Sequence, residues 1–170
     1  MKKPSWDDTW INLCYELANR SKDRSTKVGC VIVGSNNIPR ALGYNGMPRN
    51  CNDNIEDRHD RPRKYFFMEH GERNAIYNAA REGIALSGCR LYIPAPPCVD
   101  CSRAIIQSGI IEVVCDTLLV PERWQESCDA GIEMLLEAQI FIRTTNSFTQ
   151  VTSWTYTKGE GWGGEKSRGC

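Results

Sequence analysis

One histidine, one glutamate and two cysteines carry the chemistry legible in this chain. His70 and Glu72 stand two apart in HGERNAI, and Cys98 and Cys101 stand three apart in PCVDC. A catalytic zinc centre takes three protein ligands and keeps a fourth position for water or substrate. One imidazole and two thiolates meet that count. Cysteines at i and i+3 in the first turn of a helix converge on one ion, and the helix dipole favours their thiolate forms. Glu72 is offset so that it sits beside a metal without binding it. Zinc lowers the pKa of a bound water to about 7. A carboxylate at Glu72 can then take that water's proton and return it, as a general base and then a general acid. Two plainer readings compete with this one: a closed structural zinc site completed by Cys89 or Cys51, and a helix-start histidine with two cysteines that are only small buried residues.

Such a centre needs two helix starts facing each other. The pattern predicts a helix from near His70 to about Gly83, with Ala75, Ile76, Ala79 and Ala80 inward. It predicts another opened by Pro97, running through about Ser108 and closed by Gly109. Upstream, Pro4 and Ser5 open a helix to about Ser21, with Trp6, Trp10, Leu13, Cys14 and Leu17 on one face. KVGCVIVG and IPRALGYNG read as a hairpin around Ser35-Asn36-Asn37. Strands over Cys89 to Ile93 and Ile111 to Cys115, an LLV segment, a helix over Trp124 to Ala138 and a strand over Gln139 to Thr144 complete the order. The expected fold class is α/β: a three-layer α/β/α domain over residues 1–146 with a mixed, about five-stranded central sheet. Residues 47–64 are aperiodic, and loops of that length in compact domains tend to be functional. Within them Cys51 and His59 form a candidate second metal pair, set against a solvated loop. Residues 147–170 form an extension in which VTSWTYT reads as a strand and KGEGWGGEKSRGC as a flexible, glycine-rich tail.

Lysine plus arginine equals aspartate plus glutamate at 21 each, so no global charge draws the chain to nucleic acid, although a local basic pocket could hold a small phosphorylated ligand. MKKPSWDDTW lacks the apolar run of an export signal, and no stretch is long enough to span a bilayer. The nine cysteines are odd in number and scattered, which suits reduced thiols in a cytoplasmic protein. Of these, Cys14, Cys30, Cys115 and Cys128 fall on apolar faces and read as core.

H-x-E followed by P-C-x-x-C is the signature of zinc deaminases acting on nucleobases. From about Trp6 to Phe141 the chain resembles the deoxycytidylate deaminases of the cytidine deaminase-like superfamily. The likeness rests on RSTKVGC from Arg24, GYNGMP from Gly43, ERNAI after the histidine and CSRAIIQSGI after the first cysteine. Free-nucleoside cytidine deaminases more often carry a cysteine where His70 stands, and transfer-RNA adenosine deaminases differ after the C-x-x-C.

The resemblance implies hydrolysis of dCMP to dUMP and ammonia, feeding dTMP synthesis, with other cytosine compounds as the alternative. It implies zinc on His70, Cys98 and Cys101, with Glu72 catalytic. Asn45 is expected at the sugar and Arg24 at the 5′-phosphate, where guanidinium binds bidentately; Arg123 or Lys27 would add phosphate contacts, set against the favoured alternative of a surface salt bridge or solvated side chain for both. The Gly71 amide and a carbonyl at Ala95 or Pro96 are expected to read the base. Gly43, Tyr44 and Gly46 match an effector motif at which dCTP with magnesium activates and dTTP inhibits, in a homohexamer; the alternative for the glycines is turn chemistry. One residue departs from the pattern: Gly71 replaces the family's alanine, which removes a methyl from the pocket wall and makes tolerance of a 5-substituted cytosine conceivable.

Overall fold

The computed structural model describes residues 3–145, 149–157 and 161–168. Helix α1 (Trp6–Ala18) starts where expected, because Ser5 and Asp8 form a reciprocal capping box. Strands β1 (Gly29–Val33) and β2 (Pro39–Tyr44) make the hairpin, whose turn uses Asn37 in the left-handed region. Helix α2 (Gly71–Arg81), β3 (Arg90–Ile93), α3 (Val99–Gln107), β4 (Glu112–Cys115), α4 (Glu122–Glu137) and β5 (Phe141–Thr144) follow in the alternating order expected. The LLV segment is irregular rather than a strand.

β1 pairs antiparallel with β2 and β3, whereas β3, β4 and β5 run parallel. The side-chain period of two divides these strands between two cores. Val31, Val33, Tyr92 and Val114 meet Trp10, Ile11 and Cys14 of α1 on one face. Cys30, Ile32, Leu91, Ile93, Val113 and Cys115 turn to the other, where Ala75 and Ala79 of α2, Ile105 of α3, and Ile132 and Leu135 of α4 pack on them. This is the three-layer α/β/α arrangement, with α1 on one side and α2, α3 and α4 on the other.

The extension continues the sheet. Strand β6 (Thr149–Thr157) pairs with β5, and β7 (Gly161–Arg168) pairs with β6 along its length, giving the order β2-β1-β3-β4-β5-β6-β7. The five-stranded sheet of the first 145 residues thus gains two strands. β7 falls on the segment read as a flexible tail. Glycines offer no side-chain period to read, but their backbone groups complete the ladder as well as any other residue's.

β2 forms one edge of the sheet, and α2 lies along it. Asn74 Nδ2 donates to the Tyr44 carbonyl at 2.8 Å and Asn78 Nδ2 to the Leu42 carbonyl at 2.6 Å. The 47–64 segment holds two short 3-10 helices, Glu56–His59 and Arg63–Phe66.

Candidate metal centre and its pocket

His70 is the N-cap of α2 and Cys98 the N-cap of α3, and neither side chain makes the capping hydrogen bond usual at that position. Replacing Ser, Thr, Asp or Asn at an N-cap typically forfeits about 1 kcal/mol, so these two positions favour something other than helix stability. Cys101 sits one turn into α3, fully buried. His70 Nδ1 lies 3.4 Å from Cys98 Sγ and 3.5 Å from Cys101 Sγ, and the three donor atoms fall within 4.8 Å of one another. α3 follows β3 at its carboxyl end, the place where parallel α/β sheets put their ligands. Among the described residues, this is the group of metal-ligating side chains that converges closely enough to share one ion. Neither Cys51 nor Cys89 joins it. Cys51 is exposed, while His59 is buried with its Nε2 2.7 Å from the Asp53 carbonyl.

The electrostatics suit a cation. The Cys101 side chain and the His70 ring bring the Cys98 thiol down to about 4 despite burial, while the same contact with Cys98 and burial push Cys101 up. Cys98 raises the His70 imidazole above its usual value against the effect of burial. Glu72 is 4% exposed, and burial raises its carboxyl above the ordinary range, opposed by His70. One nitrogen on the half-buried His70 and two buried sulfurs, gathered at two helix starts, match the three-ligand set of zinc in its catalytic form. Arg73 ties the two ligand-bearing segments together. It pairs with Glu69, whose Oε1 accepts from the His70 amide at 3.2 Å, and reaches Asp100 at 3.7 Å.

The pocket beside this centre is lined by His70, Gly71, Glu72 and Cys98, by Thr26, Val28 and Asn45, by Ile93 to Pro96, by Val120, Pro121, Arg123, Trp124 and Cys128, and by Arg61, Lys64 and Tyr65. Of the residues expected from the sequence to bind substrate, Asn45, Gly71, Ala95, Pro96 and Arg123 line this pocket. Asn45 already organises its surroundings: Oδ1 accepts from the Val28 amide at 2.8 Å, and Nδ2 donates to the Thr26 carbonyl at 2.8 Å. Arg24 is not in the lining; it is exposed and paired with Glu56 at 2.5 Å. Lys27 is exposed and likewise outside the lining.

The effector-motif residues divide. Tyr44 is 38% exposed. Gly46 pairs by its backbone with Glu69, through bonds of 3.0 and 2.8 Å, which fixes the residue before His70. Gly43 lies against α2, where a Cβ would stand 2.3 Å from the Gly71 carbonyl oxygen. Gly71 lines the pocket, and an added Cβ there would meet the Val28 carbonyl at 3.1 Å and the Tyr44 and Asn45 backbone at 3.5 and 3.6 Å, so the missing methyl also lets α2 approach the hairpin.

Sequence reasoning missed Arg61, Lys64, Tyr65 and Trp124. Tyr65 stands edge-on to Trp124 at 5.9 Å, and Trp124 edge-on to His70 at 5.5 Å, which makes an aromatic wall beside the metal ligands. The available signal was the apolar run YFFM immediately after Lys64, unusual at the end of a charged loop.

A Cys₂His donor set with an adjacent buried glutamate, at the carboxyl end of a mixed sheet in an α/β/α sandwich and with no fourth converging ligand among the described residues, has the ligand count of catalytic rather than structural zinc sites. The chain belongs to the family described as the cytidine and deoxycytidylate deaminase zinc-binding region, which it matches over residues 4–117. It is 40% identical over 119 residues to a probable deoxycytidylate deaminase of Drosophila melanogaster, covering 64% of this chain and 58% of the relative. It is 34% identical over 138 residues to the deoxycytidylate deaminase of Homo sapiens, covering 77% and 73%. The crystal structure of dCMP deaminase from the cyanophage S-TIM5 in complex with dCMP and dUMP superposes with a TM-score of 0.69 at 25% identity, covering 85% of this chain and all of that one.

Proposed function

We propose that this protein is a zinc-dependent deaminase that hydrolyses dCMP to dUMP and ammonia, supplying dUMP for dTMP synthesis. The observation that carries this reading is the pocket itself: a buried Glu72, with His70 and Cys98 of the Cys₂His donor set, shares it with Arg61 and Arg123. Chemistry for an amidine carbon and charge for a phosphate thus meet in one cavity. The names of the relatives and the cyanophage complex support the same substrate.

His70, Cys98 and Cys101 would hold zinc, which supplies Lewis acidity and an activated water at neutral pH. The remaining steps belong to the chain. Glu72 accepts the proton of the attacking water, delivers it to the ring nitrogen next to C4, and moves the second proton to the leaving amine. Water adds at C4, the C4–N bond breaks, ammonia departs and the oxygen stays as the uracil carbonyl. The Gly71 amide, at a helix start where N–H groups lack intrahelical partners, and the carbonyls of Ala95 and Pro96 read the base. Asn45 keeps a second lone pair on Oδ1 for a sugar hydroxyl. With Arg24 engaged by Glu56 outside the lining, the phosphate falls to Arg61 and Arg123. For regulation, Tyr44 is the effector-motif side chain open to a nucleotide, with dCTP and Mg²⁺ as activator, dTTP as inhibitor, and a cytoplasmic homohexamer as the assembly.

The test is a substrate panel of dCMP, deoxycytidine, CMP, dCTP and a single-stranded oligonucleotide, followed by loss of cytosine absorbance with and without dCTP, Mg²⁺ and dTTP. Arg61→Ala and Arg123→Ala should raise KM for dCMP and spare deoxycytidine, and Arg24→Ala should change neither. Glu72→Ala should retain zinc and lose about 10²- to 10⁴-fold in turnover. Substantial activity in that variant would end the mechanism, and faster turnover of another compound would move the substrate.

A further inference from the structure

Lys64 lies in the pocket wall, and its ammonium is already committed. It donates to Asp23 Oδ1 at 3.0 Å, Asp23 Oδ2 at 2.7 Å and Ser25 Oγ at 2.6 Å, which uses all three of its N–H groups. Both partners are almost wholly out of solvent, at 5% and 2% side-chain exposure. The other ion pairs that touch this segment, Lys22–Asp53, Arg24–Glu56 and Arg63–Asp57, are exposed and therefore screened. A buried pair is weak evidence of stability, but it does specify which surfaces dock, because any other arrangement leaves a charge unpaired.

What docks here is substrate-facing. The Asp23 carboxylate also accepts the Ser25 amide at 2.8 Å and the Thr26 amide at 3.1 Å, which folds the turn ahead of β1, and it receives Asn45 Nδ2 at 3.4 Å. On the other side of the pair, Arg61 donates its Nε to Tyr65 Oη at 2.9 Å and a terminal nitrogen to Ser25 Oγ at 3.1 Å. Thr26 before β1 and Asn45 after β2, at the same end of the hairpin, and Arg61 and Tyr65 on the loop segment, all line the pocket. Tyr65 leads on through Trp124 to His70. One ion pair joins two segments remote in sequence and sets the spacing of four pocket groups.

We propose that the Asp23–Lys64 pair is a positioning device that seats the Arg61–Tyr65 wall against the turn before β1 and so sets nucleotide affinity without touching the substrate. The proposal rests on the reading of this pocket as a nucleotide site. It explains how the charged, aperiodic loop is ordered, and why a lysine is buried at its end.

The test uses the zinc-loaded full chain with Asp23→Asn, Lys64→Met and the double variant, which leaves no unpaired buried charge if a single variant fails to fold. Kinetics on dCMP and deoxycytidine are measured beside hydrogen exchange over residues 56–67. Each folded variant should raise KM for dCMP by about tenfold or more, with kcat within about threefold, as expected when binding geometry is lost rather than chemistry. Deoxycytidine should respond less, and exchange over 56–67 should quicken. An unchanged KM, or a collapse of kcat alone, in the folded double variant overturns the proposal. So does a KM that rises in Lys64→Met but holds or falls in Asp23→Asn, since freeing the ammonium would then help and Lys64 would be a direct phosphate ligand. Should the wild-type chain turn over no dCMP, the functional reading fails on its own. The exchange data still decide the pairing: unaltered protection of 56–67 in the double variant refutes it.

Discussion

Gly43→Ala tests how the catalytic helix is placed. Gly43 pairs with Cys30 in the hairpin and faces the first turn of α2. A methyl there would lie 2.3 Å from the Gly71 carbonyl oxygen, 2.4 Å from the Ala75 amide nitrogen and 2.9 Å from the Ala75 Cα, whereas ordinary contact begins at 3.4 Å. All three are backbone atoms of the first turn of the helix, so no side chain can swing aside. Relief requires α2 to move by about 1 Å, and overpacking of this kind typically costs about 1–3 kcal/mol. The same helix start carries His70 and Glu72, and a displacement of about 1 Å at a reacting group costs about 10²-fold in rate. Gly43→Ala should therefore lower the melting temperature by several degrees and turnover by about two orders of magnitude, with reduced zinc content. Gly46→Ala is the control, because its added methyl finds its nearest atom, on the Tyr44 ring, at 3.9 Å. Circular dichroism melts, zinc stoichiometry and dCMP turnover read the outcome. A Gly43→Ala protein with wild-type stability and turnover that has lost only its response to dCTP would refute the packing argument and return Gly43 to the effector site.

Arg73→Leu should speed transfer of zinc to a chelator by about fivefold without changing the fold, the equivalent of about 1 kcal/mol for a half-buried clasp. Arg73→Lys should restore part of it, and an unchanged transfer rate would show that the clasp holds nothing. Burial raises the carboxyls of Asp7 and Asp23, but bonds from Arg143 and Tyr92 to the first, and from Lys64 and the Ser25 and Thr26 amides to the second, outweigh it and hold both below the usual carboxylate range. Groups lowered in the folded state stabilise it fully above their unfolded pKa of about 3.9, and that contribution is lost as pH falls through the folded values. The stability gap between wild type and Asp7→Asn should accordingly be constant near neutrality and close below about pH 4. A gap that persists in acid contradicts the assignment.

What could be read from the sequence was local. His70, Glu72, Cys98 and Cys101 announced themselves because helix starts convert spacings of two and three residues into proximity. The hairpin and the parallel strands were legible from alternation and turn residues, since Val31 and Val33 belong to one core and Cys30 and Ile32 to the other. Lys64 could not be found that way. Its burial depends on Asp23, forty-one residues earlier, and a lysine in a charged loop looks the same whether solvated or paired. Arg24 shows the complementary limit: a guanidinium suits a phosphate by type, but type does not reveal that Arg24 pairs with Glu56 and stands outside the pocket lining. Gly43 carries no side chain whose chemistry could signal that α2 needs its space.

The two asparagines that reach β2 have a consequence for the sheet as a whole. Residues four apart on a helix are about 6 Å apart along its axis, and residues two apart on a strand about 6.6 Å. Asn74 and Asn78 therefore match the spacing of the outward carbonyls of Tyr44 and Leu42. In effect, one face of α2 imitates a neighbouring strand. An exposed edge of this kind invites another chain to pair with it, and here two side-chain amides occupy the acceptors such a chain would use. The helix that brings the glutamate to the metal ligands also terminates the sheet, so a change that loosens α2 would threaten solubility along with catalysis.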